Sequence, residues 1–395
     1  MSQFLDAFWQ RPDCWLLLIL PVCAAVLGAL GNWLALRLLF GPLPVSAAWQ
    51  QGLLGRQLAV VAGGLAHQLS LALQLPELFR LMEPEKIAAH LSDGVLERLE
   101  DYVDDIMSEK NAVLWDNLPE LVRRRVYQRV SRQLPSIFDN LIDDMAEHID
   151  RLVDVHEFLP ELMQQQPGLL SRLVEEALRE ECAWLCRAGA LAGFGAGLLA
   201  VLCWLLLPRP WLLSLLLPAT VLAAFLLPRH FLFRVDARRP GRLQQRQSAI
   251  AVPLGEGLME DVLGLRQLMR TLLSGSRVNR TRSMIKRHMR PLLDAGVVRT
   301  SLQLMMGAAA YVGIKQRVVD RAVQLTVQSL SDAEFSHERT GLAQEVCVRR
   351  LQGMPAADFV AMLRPLLSEA WWLQVLPGLV LAFVAGLGLG VLLAV

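Results

Sequence analysis

The side chains able to do chemistry are few and scattered. Cys182 and Cys186 stand one helical turn apart, so both thiols would face the same way and could hold a metal ion. No second ligand pair is close in sequence, and two structural thiols are the simpler reading. Glu147, His148, His156 and Glu157 form a loose acidic–histidine group, but without the spacing of a metal site; a solvated helix face is the plainer explanation. His337-Glu338 lacks the second histidine of a zinc-protease helix. The chain has no Gly-x4-Gly-Lys-Ser/Thr phosphate loop and no Gly-x-Ser-x-Gly elbow. Gly386, Gly388 and Gly390 match a dinucleotide fingerprint only in number, inside an apolar run with no strand before it. No catalytic, cofactor-binding or metal-binding residue is assigned, and the expectation is a non-enzymatic protein without a cofactor.

Charge is the next source of chemistry. Net charge is +1 over 395 residues, which argues against a nucleic-acid binder. Locally the balance is uneven. Arg229, Arg234, Arg238, Arg239, Arg242 and Arg246 make a basic collar, of which Arg238, Arg239 and Arg242 are the candidate contacts to lipid or to a partner. A second run holds Arg277, Arg280, Arg282, Lys286, Arg287 and Arg290. It could meet anionic headgroups, pair with the acidic stretches Asp93–Asp105 or Asp139–Asp154, or remain a solvated face. No aromatics are interleaved with it for base stacking.

The elements that must carry these residues are helices, and some of them are built for lipid. Hydrophobic residues are 54% of the chain and charged ones 19%, with a mean hydropathy of +0.37; a soluble chain of this size would normally fall below zero. The fold class read from this is all-α, an integral membrane protein with about four transmembrane helices and two helical extramembrane domains. The expected order is a polar lead at 1–13, transmembrane helix one at 14–40, soluble domain one at 41–187, a transmembrane hairpin at 188–228, soluble domain two at 229–370 and transmembrane helix four at 371–395. The first apolar segment is too long for a signal peptide and reads as an uncleaved anchor. Leu58–Leu75 could lie on the bilayer or inside the first domain. Beyond it, Leu91 to Met107 and Ile137 to Val153 show apolar residues three and four apart, while Pro135 would kink or restart a helix begun near Leu118. Gly28 and Gly31, and the pairs Gly193/Gly197 and Gly386/Gly390, offer small faces for helix packing.

The most distinctive stretch is where the first apolar segment ends: Gly31-Asn32-Trp33-Leu34-Ala35-Leu36-Arg37-Leu38-Leu39-Phe40, then Pro42, and Gln51-Gly52 with Arg56-Gln57. By residue type, Asn32, Trp33, Arg37, Phe40, Pro42, Gly52, Arg56 and Gln57 form a membrane-exit motif. Its arginines would meet lipid phosphates or a partner's carboxylates, or act as ordinary snorkelling anchors. The stretch resembles the signature of the YheB/YjiN-like bacterial membrane proteins, a family of unknown function. It differs in carrying Gly31 where that family usually has Thr, and Gly41 where it usually has Arg or Glu. The resemblance implies a bacterial integral membrane protein and supplies no reaction.

A shift of about 190 positions aligns Leu53, Arg56, Gln57 and Ala59 with Leu243, Arg246, Gln247 and Ala249, and Leu75, Leu78 and Arg80 with Leu265, Leu268 and Arg270. A tandem repeat is therefore expected, with Arg246 and Gln247 as the second copy of Arg56 and Gln57. Arginines flanking the apolar segments lie mostly on the soluble-domain side, which places those domains in the cytoplasm. The functional expectation is an inner-membrane helical scaffold or envelope-associated protein. Its partners would be membrane lipids, anionic ones included, and copies of itself or other membrane proteins, with no nucleic acid. The alternative is a lipid-handling or transport protein using a membrane-apposed apolar helix and the basic collar.

Overall fold

The computed structural model describes residues 14–40, 63–67, 69–70, 74–117, 119–166, 168–206, 212–274, 278–293, 332–368 and 371–394, with a few positions between 316 and 324. Pro42, Gly52, Arg56 and Gln57 lie outside the described residues, as do the lead at 1–13 and the turn at 208–210. Among the described residues every regular element is helical. In chain order these are α1 (Cys14–Phe40), α2 (Leu75–Leu81), α3 (Pro84–Leu96), α4 (Leu99–Asp116), α5 (Glu120–Glu147), α6 (Ile149–Leu152), α7 (Val155–Gln165), α8 (Leu169–Ala177) and α9 (Arg179–Leu206). There follow α10 (Leu213–Phe233), α11 (Arg242–Gln245), α12 (Gln247–Gly257), a π-helical turn (Leu258–Val262), α13 (Leu265–Ser274), α14 (Val278–Leu293), α15 (Ala333–Gly353), α16 (Ala356–Ser368) and α17 (Trp371–Ala394).

The chain forms two compact units: Met1–Gln68, Pro160–Leu254 and Leu351–Val395 make the first, Leu69–Leu159 and Gly255–Arg350 the second.

The first unit contains four helices long and apolar enough to cross a membrane, over Ile19–Phe40, Arg179–Trp204, Ser214–Phe233 and Trp371–Leu389. Among the described residues, the large exposed apolar side chains sit on these four helices, except Leu121, Val122, Val235, Val252 and Leu342. On α1 they run Ile19, Val22, Val26, Leu30 and Trp33, a stripe at helical spacing that faces away from the protein. Leaving such side chains in water costs about 1.5–3 kcal/mol each. The inner faces instead carry small residues. Gly189, Gly193 and Gly197 of α9 recur every fourth position and meet α1 in reverse order. A Cβ on Gly193 would sit 2.4 Å from the Ala24 carbonyl oxygen, and one on Gly197 would sit 2.7 Å from the Pro21 Cα. Gly378 of α17 comes within van der Waals reach of Gly31 and Val221. Gly386 is buried on α17, while the surroundings of Gly390 are outside the description. Of the Leu58–Leu75 stretch, residues 63–67, 69–70 and 74–75 are described; all but Gln74 are helical, and Leu65, Ala66, Leu69 and Leu75 are buried in the protein rather than presented to a bilayer.

The second unit joins two stretches that the sequence reading assigned to separate domains. α3 buries Ile87, Ala88, Leu91 and Val95 on one face. It packs on α5, which contributes Leu134, Ile137, Phe138, Leu141, Ile142 and Met145. Instead of breaking at Pro135, α5 runs on through it; Pro135 is exposed, so the carbonyl it frees can turn to water. α13 begins where Ser336 and Thr340 of α15 accept hydrogen bonds from the Arg266 and Leu265 amides, both at 3.2 Å, which satisfies orphan donors at its start. Glu83, at the start of α3, is the described non-glycine residue with positive φ, at 55°. It is held there by the buried Arg339 guanidinium and by Lys86 at 2.9 Å.

Candidate functional site

The polar chemistry of the first unit is concentrated between its four long helices. α10 is mostly apolar, and its buried charge is Arg229, which sequence reasoning counted as the first residue of the collar beyond the helix; the helix continues to Phe233 and keeps Arg229 inside it. Pro228 is the cause of what happens next. Proline has no N–H, so the Ala224 carbonyl four residues earlier loses its helical donor. Asn32 of α1 replaces it, donating from Nδ2 to Ala224 O at 3.0 Å and to Gly28 O at 2.9 Å. The Asn32 carbonyl, thereby oriented, accepts from Arg229 Nη1 at 2.9 Å. The other guanidinium nitrogen, Nη2, donates to Gln374 Oε1 of α17 at 3.1 Å. The guanidinium also lies over the Phe225 ring, 3.5 Å from its centroid.

α9 completes the arrangement by subtraction. A Cβ on Gly189 would meet Asn32 Nδ2 at 2.2 Å, and one on Gly28 would meet the Gly189 carbonyl oxygen at 2.5 Å. Only glycine at both positions lets α1 and α9 close around the amide. Asn32 and Gln374 are each 1% exposed and Arg229 is 7% exposed. Among the described residues no carboxylate pairs with Arg229; its charge is met by neutral amides, a ring face and a backbone carbonyl. Cys182 and Cys186 are free thiols on α9, within electrostatic reach of Arg229.

The other described residues of the exit motif lie at the end of α1. Trp33 is half exposed, and Arg37, one turn on, stacks over its ring at 5.1 Å; Phe40 is partly buried. Exposed Trp371 and Trp372 begin α17. Arg246 and Gln247, the residues that the expected repeat would pair with this motif, act as connectors. Arg246 forms ion pairs with Glu180 and Glu181 of α9. Gln247 is buried and donates to the carbonyls of Leu351, Gln352 and Met354, at 3.0, 3.2 and 2.7 Å, tying α12 to the end of α15.

The basic collar folds into a cleft of about 320 Å³ lined by Trp184, Phe231, Arg234, Arg239, Arg242 and Gln245, with Pro240 and Gly241 closing it. Arg239 and Arg242 line it together with Arg234, which the sequence places in the collar but not among the candidate contacts. Arg238 is exposed beside it, its amide donating to Asp236 at 2.9 Å.

In the second unit, Arg287 of the other basic run pairs with Asp144, and His288 Nε2 lies 2.8 Å from the same carboxylate. Arg280 donates to the Arg151 carbonyl at 3.2 Å, and Arg282 pairs with Asp320 at 3.1 Å. Pairing with the acidic Asp139–Asp154 face therefore accounts for Arg287, while Arg282 finds its carboxylate at Asp320 and Arg280 a backbone carbonyl. Burial pushes the Asp144 carboxyl up, but hydrogen bonds from His288 and Arg287 outweigh it and hold the group below the usual carboxylate range. On α4, Asp104 accepts from Trp115 Nε1 at 2.8 Å and from the Tyr127 hydroxyl at 2.5 Å; burial and this bond raise the Tyr127 phenol above its ordinary value. No group of three or more His, Cys, Asp or Glu side chains placed for a metal occurs among the described residues.

No protein-family model, curated protein or solved structure matches the chain.

Proposed function

We propose that this is an integral protein of the bacterial inner membrane, whose four long apolar helices anchor a helical extramembrane body that acts as a non-enzymatic scaffold. The observation that carries this reading is the division of faces on those helices. Their outer faces are leucine, valine and aromatic stripes, and their inner faces hold a polar clasp of Asn32, Arg229 and Gln374. Lipid suits the first and a closed bundle interior suits the second, because a buried charge in a membrane turns inward to partners. The resemblance of the Gly31–Gln57 stretch to the YheB/YjiN-like family supports a bacterial membrane, and the arginine distribution supports a cytoplasmic body.

A tandem repeat is part of the proposal. Offset by 190 positions, buried Leu75, Leu78, Phe79 and Met82 correspond to buried Leu265, Leu268, Met269 and Leu272. α8 likewise corresponds to α16, and α9 to α17. Each copy would run apolar helix, helical segment, apolar helix.

Two measurements test this function. Single cysteines at exposed Ser136 and Ser283, one from each stretch of the second unit, are labelled in intact cells with an impermeant reagent. Protection of both until lysis is expected; labelling of both would move the body to the other side, and a split result would contradict the unit itself. Light scattering of the full chain in lipid nanodiscs then reads self-association, the expected scaffold behaviour. A strict monomer carrying one stoichiometric small ligand would sink the scaffold reading and favour the second one, lipid handling, which the arginine–tryptophan cleft supports.

A further inference from the structure

We infer that the cleft lined by Trp184, Arg234, Arg239 and Arg242 is a binding site for the phosphate headgroup of an anionic phospholipid. This rests on the membrane embedding proposed above and goes beyond the scaffold role. The position comes first. Trp184 is near the start of the apolar span Arg179–Trp204, and Phe231 is near the end of the span Ser214–Phe233. Both belong to the same end of the bundle, the level at which headgroups and interfacial tryptophans sit. Phe231 and Leu227 are about half exposed on α10, an apolar path down which acyl chains would run.

The chemistry of the walls is the second observation. Arg242 lies over the Trp184 ring at 5.1 Å, while its Nε is buried without a hydrogen-bond partner. Arg239 is exposed at the rim. Arg234 is fixed by Asp236 at 2.9 Å, the carboxylate that most directly offsets the cleft's charge. Arg239 and Arg242 form no ion pair of their own among the described residues; Glu180, the carboxylate whose charge reaches Arg242, is taken by Arg246. Planar guanidinium forks match phosphate oxygens two at a time.

The floor is the third. The Gly241 amide bonds back to the Arg234 carbonyl at 3.0 Å, and a Cβ there would stand 2.1 Å from that oxygen. Gln245 closes the turn by donating to the Pro240 carbonyl at 2.8 Å. The loop between α10 and α11 is thus drawn tight, which sets the arginines around a space of about 320 Å³, enough for a headgroup and too open for a packed core.

The test uses the full chain in nanodiscs of equimolar phosphatidylcholine and phosphatidylglycerol, followed by native mass spectrometry of the lipid that stays bound. Selective retention of phosphatidylglycerol is expected. The double variant Arg239→Gln/Arg242→Gln should lose it by about tenfold or more, while Arg349→Gln, which removes an equivalent charge from an exposed helix surface, should not. Trp184→Leu gives a second reading with every arginine kept, and retention should again fall. Equal retention of both lipids, or unchanged retention in the double variant and in Trp184→Leu, would overturn the site. Displacement by inorganic phosphate with no preference between lipids would assign the site to a free phosphate and overturn the lipid. Release of the chain from membranes by alkaline carbonate would instead remove the embedding on which the site depends; a chain that resists carbonate but shows no selectivity fails on the site alone.

Discussion

Arg229 Nη1 donates to Asn32 Oδ1 at 2.9 Å, joining two helices whose residues are 197 positions apart. The same amide caps the carbonyl left without a donor by Pro228, so one side chain answers a backbone need and a charge need together. Replacing Asn32 by leucine removes both services. The expected cost is about 1.5–3 kcal/mol, the range for losing a hydrogen bond to a charged group. Replacing Arg229 by methionine in the same chain should recover part of it. A double-mutant cycle on thermal unfolding in detergent would show a coupling of about 1–3 kcal/mol; additive losses would mean the two side chains do not depend on each other.

Glycine substitutions separate packing from composition. Gly28→Ala forces a Cβ to within 2.5 Å of the Gly189 carbonyl oxygen, a backbone atom that cannot rotate away. Gly195 lies on the same helix as Gly189 but has nothing within 4 Å of its Cβ position. Gly28→Ala should lower the unfolding temperature, and Gly195→Ala should leave it unchanged or raise it slightly, since alanine is the better helix former by about 1 kcal/mol.

Much of this was legible in sequence, and the rest failed for a common reason. The apolar spacing of Leu91 to Met107, and of Ile137 to Val153, marked buried faces because one helix face is a local property. Charge complementarity named Asp139–Asp154 as one of two acidic stretches the basic run could pair with, and Arg287 meets Asp144 there. The Asn32–Arg229–Gln374 clasp was missed because its members are local only in space. Two signs were present. Pro228 inside an apolar run demanded a donor from elsewhere, and Gln374 stood alone among apolar neighbours. Leu58–Leu75 could not be placed from composition, because a buried apolar helix and a membrane-lying one have the same residues.

Asp144 makes the stability of the second unit sensitive to acid. Its carboxyl titrates lower when folded than when unfolded, despite burial, because His288 and Arg287 hydrogen-bond to it. Such a group contributes full stability above the unfolded value of about 4, and that contribution is lost as pH falls through the lower folded value. Asp144→Asn should therefore be less stable than the parent near neutrality by about 1–3 kcal/mol. The gap should shrink below about pH 4. Denaturant titrations across pH would measure it; a gap independent of pH would rule out the ionised pair as its source.

Glu83 offers a test of backbone strain. A φ of 55° is natural for glycine and unfavourable for other residues by about 1–2 kcal/mol. Glu83→Ala and Glu83→Gly both lose the ion pair to Arg339, so the difference between them reports the backbone alone. Glu83→Gly should be the more stable of the two by about 1 kcal/mol in chemical denaturation.

The second unit is assembled from Leu69–Leu159 and Gly255–Arg350, with α9 and α10 between them in the chain. During synthesis the first stretch is finished long before the strip that completes it is made. At 5–20 residues per second, the delay is roughly 10–40 s. Throughout that time the side of α5 that packs against α14 waits uncovered while α9 and α10 are made. Biogenesis of this protein is thus a matter of timing, and a chain halted after α10 would leave Asp144 without Arg287 and His288 and expose the unpartnered side of α5 to chaperones and proteases.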